Sequence, residues 1–291
     1  MYLVLAVCFL QFFLALFLFF KMGYKSLIVL LPVLLFSFFL VKEVEGFGIV
    51  LAFFTVGFLS GICFNKLKSM QFFLLTSSFI VALIFGGDFA WTAKHNNFDA
   101  TTYVMDFIKS SSSELKTVEE KQSFEKIAKS SFDFAKKILP FNIYWVALIF
   151  SVFSFSFARL LMQLVYKEKM KIKRLEYFAL SDYVVFVLIA ALAALVIVKT
   201  DNYIRVGAIN VLLIVALLYF IQALGIIKFF LMKKGFPIFV LPLVFVLIAL
   251  LSLPAVTFAI FLLSAYGVLD LWVDFRKLKL ANVSKDGSQN E

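Results

Sequence analysis

The chain of 291 residues is 63% hydrophobic, 18% aromatic and only 16% charged. Charged residues this sparse cannot cover a water-soluble body of that size, and a mean hydropathy of +1.01 requires lipid to solvate much of the surface. The net charge of +10 does not indicate a nucleic-acid binder, because the basic residues lie between apolar stretches rather than in one patch.

The first apolar stretch, residues 2–20, has no charged side chain. About 20 apolar residues in a helix rising ~1.5 Å per residue match the ~30 Å hydrocarbon core of a bilayer. The stretch has no basic segment before it and no small-x-small cleavage site before Lys21, so we expect it to be retained rather than removed as a signal peptide. Further spans are expected at 26–41, 47–64, 69–91, 140–166, 181–198, 206–232, 236–252 and 254–274. The second and eighth are short enough to be tilted or re-entrant. The last two are separated only by Ser252-Leu253-Pro254 and read as two helices joined by a tight turn, since proline is tolerated in a first helical turn. The expected fold is therefore all-α: a polytopic bundle of eight or nine spans.

Cys8 and Cys63 both fall inside apolar stretches with no partner at metal-ligand spacing, so neither a disulfide framework nor a zinc site is expected. Orientation follows the basic residues. Loops after alternate spans hold 17 of the 28 Lys and Arg, while the short loops on the other side hold only Lys42, Lys199 and Arg205. The positive-inside rule then puts the N-terminus outside and the C-terminus in the cytoplasm.

The connection 92–139 carries eight lysines and seven acids and falls outside in this topology, bracketed by Trp91 and Trp145. Thr117-Val-Glu-Glu120 has capping-box spacing. After it Phe124, Ile127, Ala128, Phe132, Ala135, Ile138 and Leu139 recur at helical spacing among charged residues, which predicts an external amphipathic helix. Ser110 to Ser113 reads as a flexible joint between it and a shorter helix near Tyr103 to Ile108. The segment is either a lid over a cavity or a connector resting on the membrane. Three parts result: helices in 1–91, the segment 92–139, and helices in 140–279, followed by a cytoplasmic tail 280–291 expected to be disordered.

No P-loop, paired zinc histidines or nucleophile elbow is present, so an enzyme is not expected, and no cofactor is implied. The sole histidine, His95, reads as a solvated loop residue. Polar groups inside spans carry more information, because leaving them unpaired in lipid is costly. Asp88 follows Gly86-Gly87 near one end of the fourth span. Asn210 and Gln222 lie in the seventh. The ninth ends Gly267-Val-Leu-Asp270-Leu-Trp-Val-Asp274-Phe-Arg276-Lys277. On a continuing helix Asp270, Asp274 and Lys277 form one stripe and Arg276 points elsewhere, with Lys277, Lys228, Lys233 and Lys234 as the available cations. Gln222 and Asp270 lie 16 residues into their spans and should meet at one depth. They would serve as a helix-end network or a solute or ion site. Gly57-x-x-x-Gly61 and Ala190-x-x-x-Ala194 are small-residue faces suited to close helix packing or to docking a partner.

From roughly Pro140 to Lys279 the chain resembles the YybS-like family, bacterial multi-pass membrane proteins bearing a domain of unknown function. The resemblance rests on Asn210-Val-Leu-Leu, on Tyr219-Phe-Ile-Gln222-Ala-Leu-Gly225 running into Lys228-Phe-Phe, and on the ending Gly267 to Arg276. The first half is similar only in hydropathy. That family is distantly similar to the substrate-binding subunits of energy-coupling-factor vitamin transporters and implies no settled activity; were transport driven by ATP, the ATPase would be on another chain. Those subunits carry Ala-x-x-x-Ala in their first helix, which Ala6 and Ala15 do not reproduce, so conventional coupling to an ATPase is not implied. The functional expectation is a solute-binding or transport subunit without its own ATPase. The alternative is a non-transporting envelope scaffold that docks membrane partners.

Overall fold

The computed structural model describes residues 2–41, 44–65, 70–95, 100–113, 117–166, 175–199, 202–237 and 253–276, which are helical with no strand among them. The helices are α1 (Tyr2–Met22), α2 (Leu27–Val41), α3 (Val44–Asn65), α4 (Met70–His95), α5 (Ala100–Ser113), α6 (Val118–Lys137), α7 (Leu139–Tyr166), α8 (Val184–Ile197), α9 (Tyr203–Lys233) and α10 (Leu253–Val273). Two compact units are formed: residues 1–68 with 73–170, and residues 69–72 with 171–291. Helix α7 thus groups with the N-terminal helices.

Among the described residues five stretches are long and apolar enough to cross a membrane: Ala6–Phe39, Phe47–Asn65, Met70–His95, Leu139–Tyr166 and Tyr203–Lys233. Val184–Ile197 and Phe258–Val273 are shorter apolar helices. The expected eighth span, 236–252, and the tail lie mostly or wholly outside the described residues. Ile28, Phe39, Phe153, Ile197 and Phe261 are each at least 70% exposed. Apolar surface on this scale is solvated by lipid, not water.

In the first unit, Ala6–Phe39 is not one straight rod. Gln11 Nε2 donates to the Val33 carbonyl at 3.1 Å and to Ser37 Oγ. Twenty-six helical residues would span about 39 Å, so α1 and α2 fold back as a hairpin through the turn Gly23–Ser26, where Gly23 has φ +60°. Helix α3 then runs alongside α1 in the same direction. A Cβ at Gly57 would lie 2.5 Å from the Phe12 carbonyl oxygen, and one at Gly61 would lie 3.0 Å from that of Leu16. The small-residue face is therefore filled by α1, with backbones in direct contact. Asn65 finishes the pair by donating to the Phe20 carbonyl at 2.8 Å, satisfying an otherwise orphan group at the end of α1. Cys8 and Cys63 are buried and not joined in a disulfide, and Cys8 packs with Val7, Ala15, Leu30, Leu34, Val50 and Phe54.

Helix α6 begins with the anticipated capping box: Glu120 N–H donates to Thr117 Oγ1 at 3.2 Å, and Thr117 N–H to Glu120 Oε2 at 3.3 Å. No residue of α6 is buried: Ala128 and Phe132 of its apolar stripe are half-buried, while Phe124, Ile127 and Phe134 are exposed. Ser110 to Ser113 is not a joint, as the sequence suggested, but the last turn of α5. Ser110 and Ser112 donate to carbonyls three residues back, at 2.8 and 2.9 Å, and Ser112 also reaches Glu125 Oε1 on α6 at 2.7 Å. Hydroxyls that can bond locally let a serine run close a helix as readily as loosen it.

Candidate functional site

The second unit holds a buried polar network at the end of α10, built from a short non-helical segment. Residues 178–181 leave the helical path between a 3-10 turn (Leu175–Tyr177) and α8. Backbone of this kind needs partners when it is buried. Side chains from three places supply them. Leu180 N–H donates to Gln222 Oε1 at 2.9 Å. Arg276 Nη1 donates to the Glu176 and Phe178 carbonyls at 2.9 and 2.8 Å. Gln71, at the start of α4, donates to the Ala179 carbonyl.

Gln222 also joins α9 to α10, its Nε2 donating to the Gly267 carbonyl at 3.2 Å and to Asp270 Oδ2 at 3.0 Å. The helices meet so closely there that a Cβ on Gly267 would lie 2.1 Å from the Tyr219 carbonyl oxygen. Asp270 Oδ2 also accepts Arg276 Nη2 at 2.6 Å, and its Oδ1 accepts Phe275 N–H at 3.0 Å. Gln222, Asp270, Arg276 and Glu176 are all 5% exposed or less. Toward the surface Lys228 Nζ pairs with Glu176 Oε2 at 3.0 Å. The Arg276 guanidinium thereby offsets a carboxylate that opposes the α10 dipole.

This arrangement corrects the helical stripe expected of Asp270, Asp274 and Lys277. Helix α10 stops at Val273, and Asp274 takes φ +44°, the left-handed conformation that Asp tolerates better than most residues. The chain then turns back and Phe275 stacks on Tyr266, ring centroids 4.8 Å apart. The turn brings Arg276 to Asp270. Lys277 lies outside the described residues, and Lys228 serves Glu176 rather than an α10 acid.

The other positions singled out in the sequence sit elsewhere. Asn210 is buried and donates to the Val206 carbonyl of its own helix at 2.8 Å. Asp88 lies against Gly48 of α3, its carboxylate 2.7 Å from where a Cβ on Gly48 would be. His95 is the last residue of α4 and stacks over Trp91. Ala190 is exposed and Ala194 half-buried, while Ala191 is the buried alanine of α8.

Sequence reasoning missed Glu176, Gln71 and Gln11. Gln11 had a legible signal, an amide inside a charge-free span. Glu176 and Gln71 had none, because their partners are backbone groups brought in by the tertiary fold. Among the described residues no group of three or more His, Cys, Asp or Glu could hold a metal ion.

No curated protein and no solved structure matches the chain. A family model, described as "Predicted membrane protein (DUF2232)", matches residues 1–271, so the N-terminal helices carry family character as well as hydropathy. With its apolar helices and coverage from residue 1 to 271, the chain belongs to the DUF2232 family of predicted membrane proteins.

Proposed function

We propose that this protein is a non-enzymatic, multi-pass subunit of a bacterial cytoplasmic membrane that docks other membrane components, with its N-terminus outside and its C-terminus in the cytoplasm. One observation carries this reading. Gln222, Asp270 and Arg276 are buried and bonded to one another and to the segment 176–180, which supports a structural role for them in holding the unit together. The small-residue face of α8 at Ala190 meanwhile stays exposed, where a partner helix could approach closely.

A solute-binding subunit powered by an ATPase on another chain is the second reading. It is favoured by the Tyr219 hydroxyl, fully buried one turn from Gln222 without a hydrogen-bond partner among the described residues. Native mass spectrometry of protein extracted from its own membranes separates the two. The docking reading expects a stoichiometric subunit that cross-links near Ala190 and is lost in Ala190→Phe. The solute reading expects a retained small molecule that is lost in Tyr219→Phe. A reporter fused after Glu291 and found outside the cell would overturn the orientation.

A further inference from the structure

Ser60 on α3, Ser77 on α4 and Ser151 on α7 are each fully buried, and none of their hydroxyls has a hydrogen-bond partner among the described residues. A serine in a helix commonly settles its hydroxyl by donating to the carbonyl four residues back. Ser37, Ser78, Ser156 and Ser264 all do so here, within 2.9 Å. Ser60, Ser77 and Ser151 make no such bond to their own backbones.

The three share one level of the first unit. The Phe155 ring lies 5.5 Å from that of Phe64 and 4.3 Å from that of Phe73, which fixes the register of α7, α3 and α4. Each orphan serine stands four residues from its phenylalanine, one turn along the same helix face. Successive crossings alternate in direction, so a step back on α3 and α7 and a step forward on α4 lead to the same side. One further turn reaches Val56, Val81 and Ala147, all fully buried. The core is therefore layered, with hydroxyls about 6 Å above an aromatic layer and about 6 Å below an aliphatic one.

We infer that Ser60, Ser77 and Ser151 form a buried site for one small uncharged hydrogen-bonding guest, the size of a water molecule, that ties α3, α4 and α7 together. Three hydroxyls, each both donor and acceptor, supply the two to four partners that such a guest needs. Phe64, Phe73 and Phe155 on one side and Val56, Val81 and Ala147 on the other carry no charge, and the nearby Ser78–Tyr144 pair is neutral, so a charged guest would lose its hydration without an opposite charge from them in return.

The test uses the full-length protein in lipid nanodiscs, with Ser60→Ala, Ser77→Ala, Ser151→Ala and the triple variant, and Ser264→Ala as a self-bonded control. Each single variant should lower the Tm by about 2–4 °C, the shift expected for losing one hydrogen bond in a domain of this size. The triple variant should lose less than the three single shifts combined, because no hydroxyl is then left stranded. Oxygen-17 relaxation dispersion should show a long-lived water that the triple variant lacks. Single variants with an unchanged or raised Tm would overturn the site, as would a long-lived water that survives all three substitutions. A bound mass larger than water, removed by the triple variant, would overturn the water-sized guest.

Discussion

Arg276 follows Asp270 by six residues, and its Nη2 lies 2.6 Å from the Asp270 Oδ2 because the chain reverses at Asp274. The pair closes the end of α10 and, through Gln222 and the carbonyls of Glu176 and Phe178, fastens a non-helical segment to α9 and α10. A buried pair of this kind contributes more to which structure forms than to how stable it is.

Removing one partner should therefore hurt more than removing both. Asp270→Ala strands a buried guanidinium and is expected to destabilise by about 3–5 kcal/mol. The double variant Asp270→Leu with Arg276→Met should recover a large part of that loss in denaturant unfolding of the detergent-solubilised protein. A double variant as unstable as Asp270→Ala would contradict the role assigned to the pair.

The two buried glutamines should behave differently. Gln222→Met leaves the Leu180 N–H without its acceptor and should cost about 1–3 kcal/mol. Gln11→Met strands nothing, since Ser37 Oγ and the Val33 carbonyl still bond each other at 2.9 Å and the unpaired Gln11 Oε1 is removed. Its effect should stay within about 1 kcal/mol. Paired thermal melts of the two variants compare them directly.

Glycine substitutions should split by surroundings. Gly267→Ala drives a methyl group into the Tyr219 carbonyl and should push α9 and α10 apart, costing about 1–3 kcal/mol or more. Gly207→Ala, on α9, meets nothing within 4 Å and should be neutral or stabilising by up to about 1 kcal/mol through helix propensity. A cysteine pair across α9 and α10 near this crossing should lose its cross-linking in Gly267→Ala and keep it in Gly207→Ala.

Thr117→Ala removes one half of a complete capping box and should weaken the start of α6 by about 1 kcal/mol. Hydrogen exchange should quicken at the first-turn amides of α6 while α7 stays unchanged.

Residue order alone made legible that this is a helical membrane protein, where the described apolar helices begin and end to within a few residues, and that α6 starts at a capping box. These features depend on local composition and spacing, which bilayer thickness and the geometry of one helix turn translate directly into structure. The depth match that paired Gln222 with Asp270 was legible for the same reason, since two spans that start at the same membrane face bring equal residue counts to similar depth. Only the tertiary structure decided which cation meets Asp270, because a helical wheel assumes a helix that continues and α10 ends in a left-handed turn. It alone could reveal that Ser110 to Ser113 finish a helix, that Glu176 and Gln71 serve the segment 176–180, and that three distant serines share one layer. Those relationships join groups remote in sequence, and one-dimensional periodicity carries no information about which helix faces which.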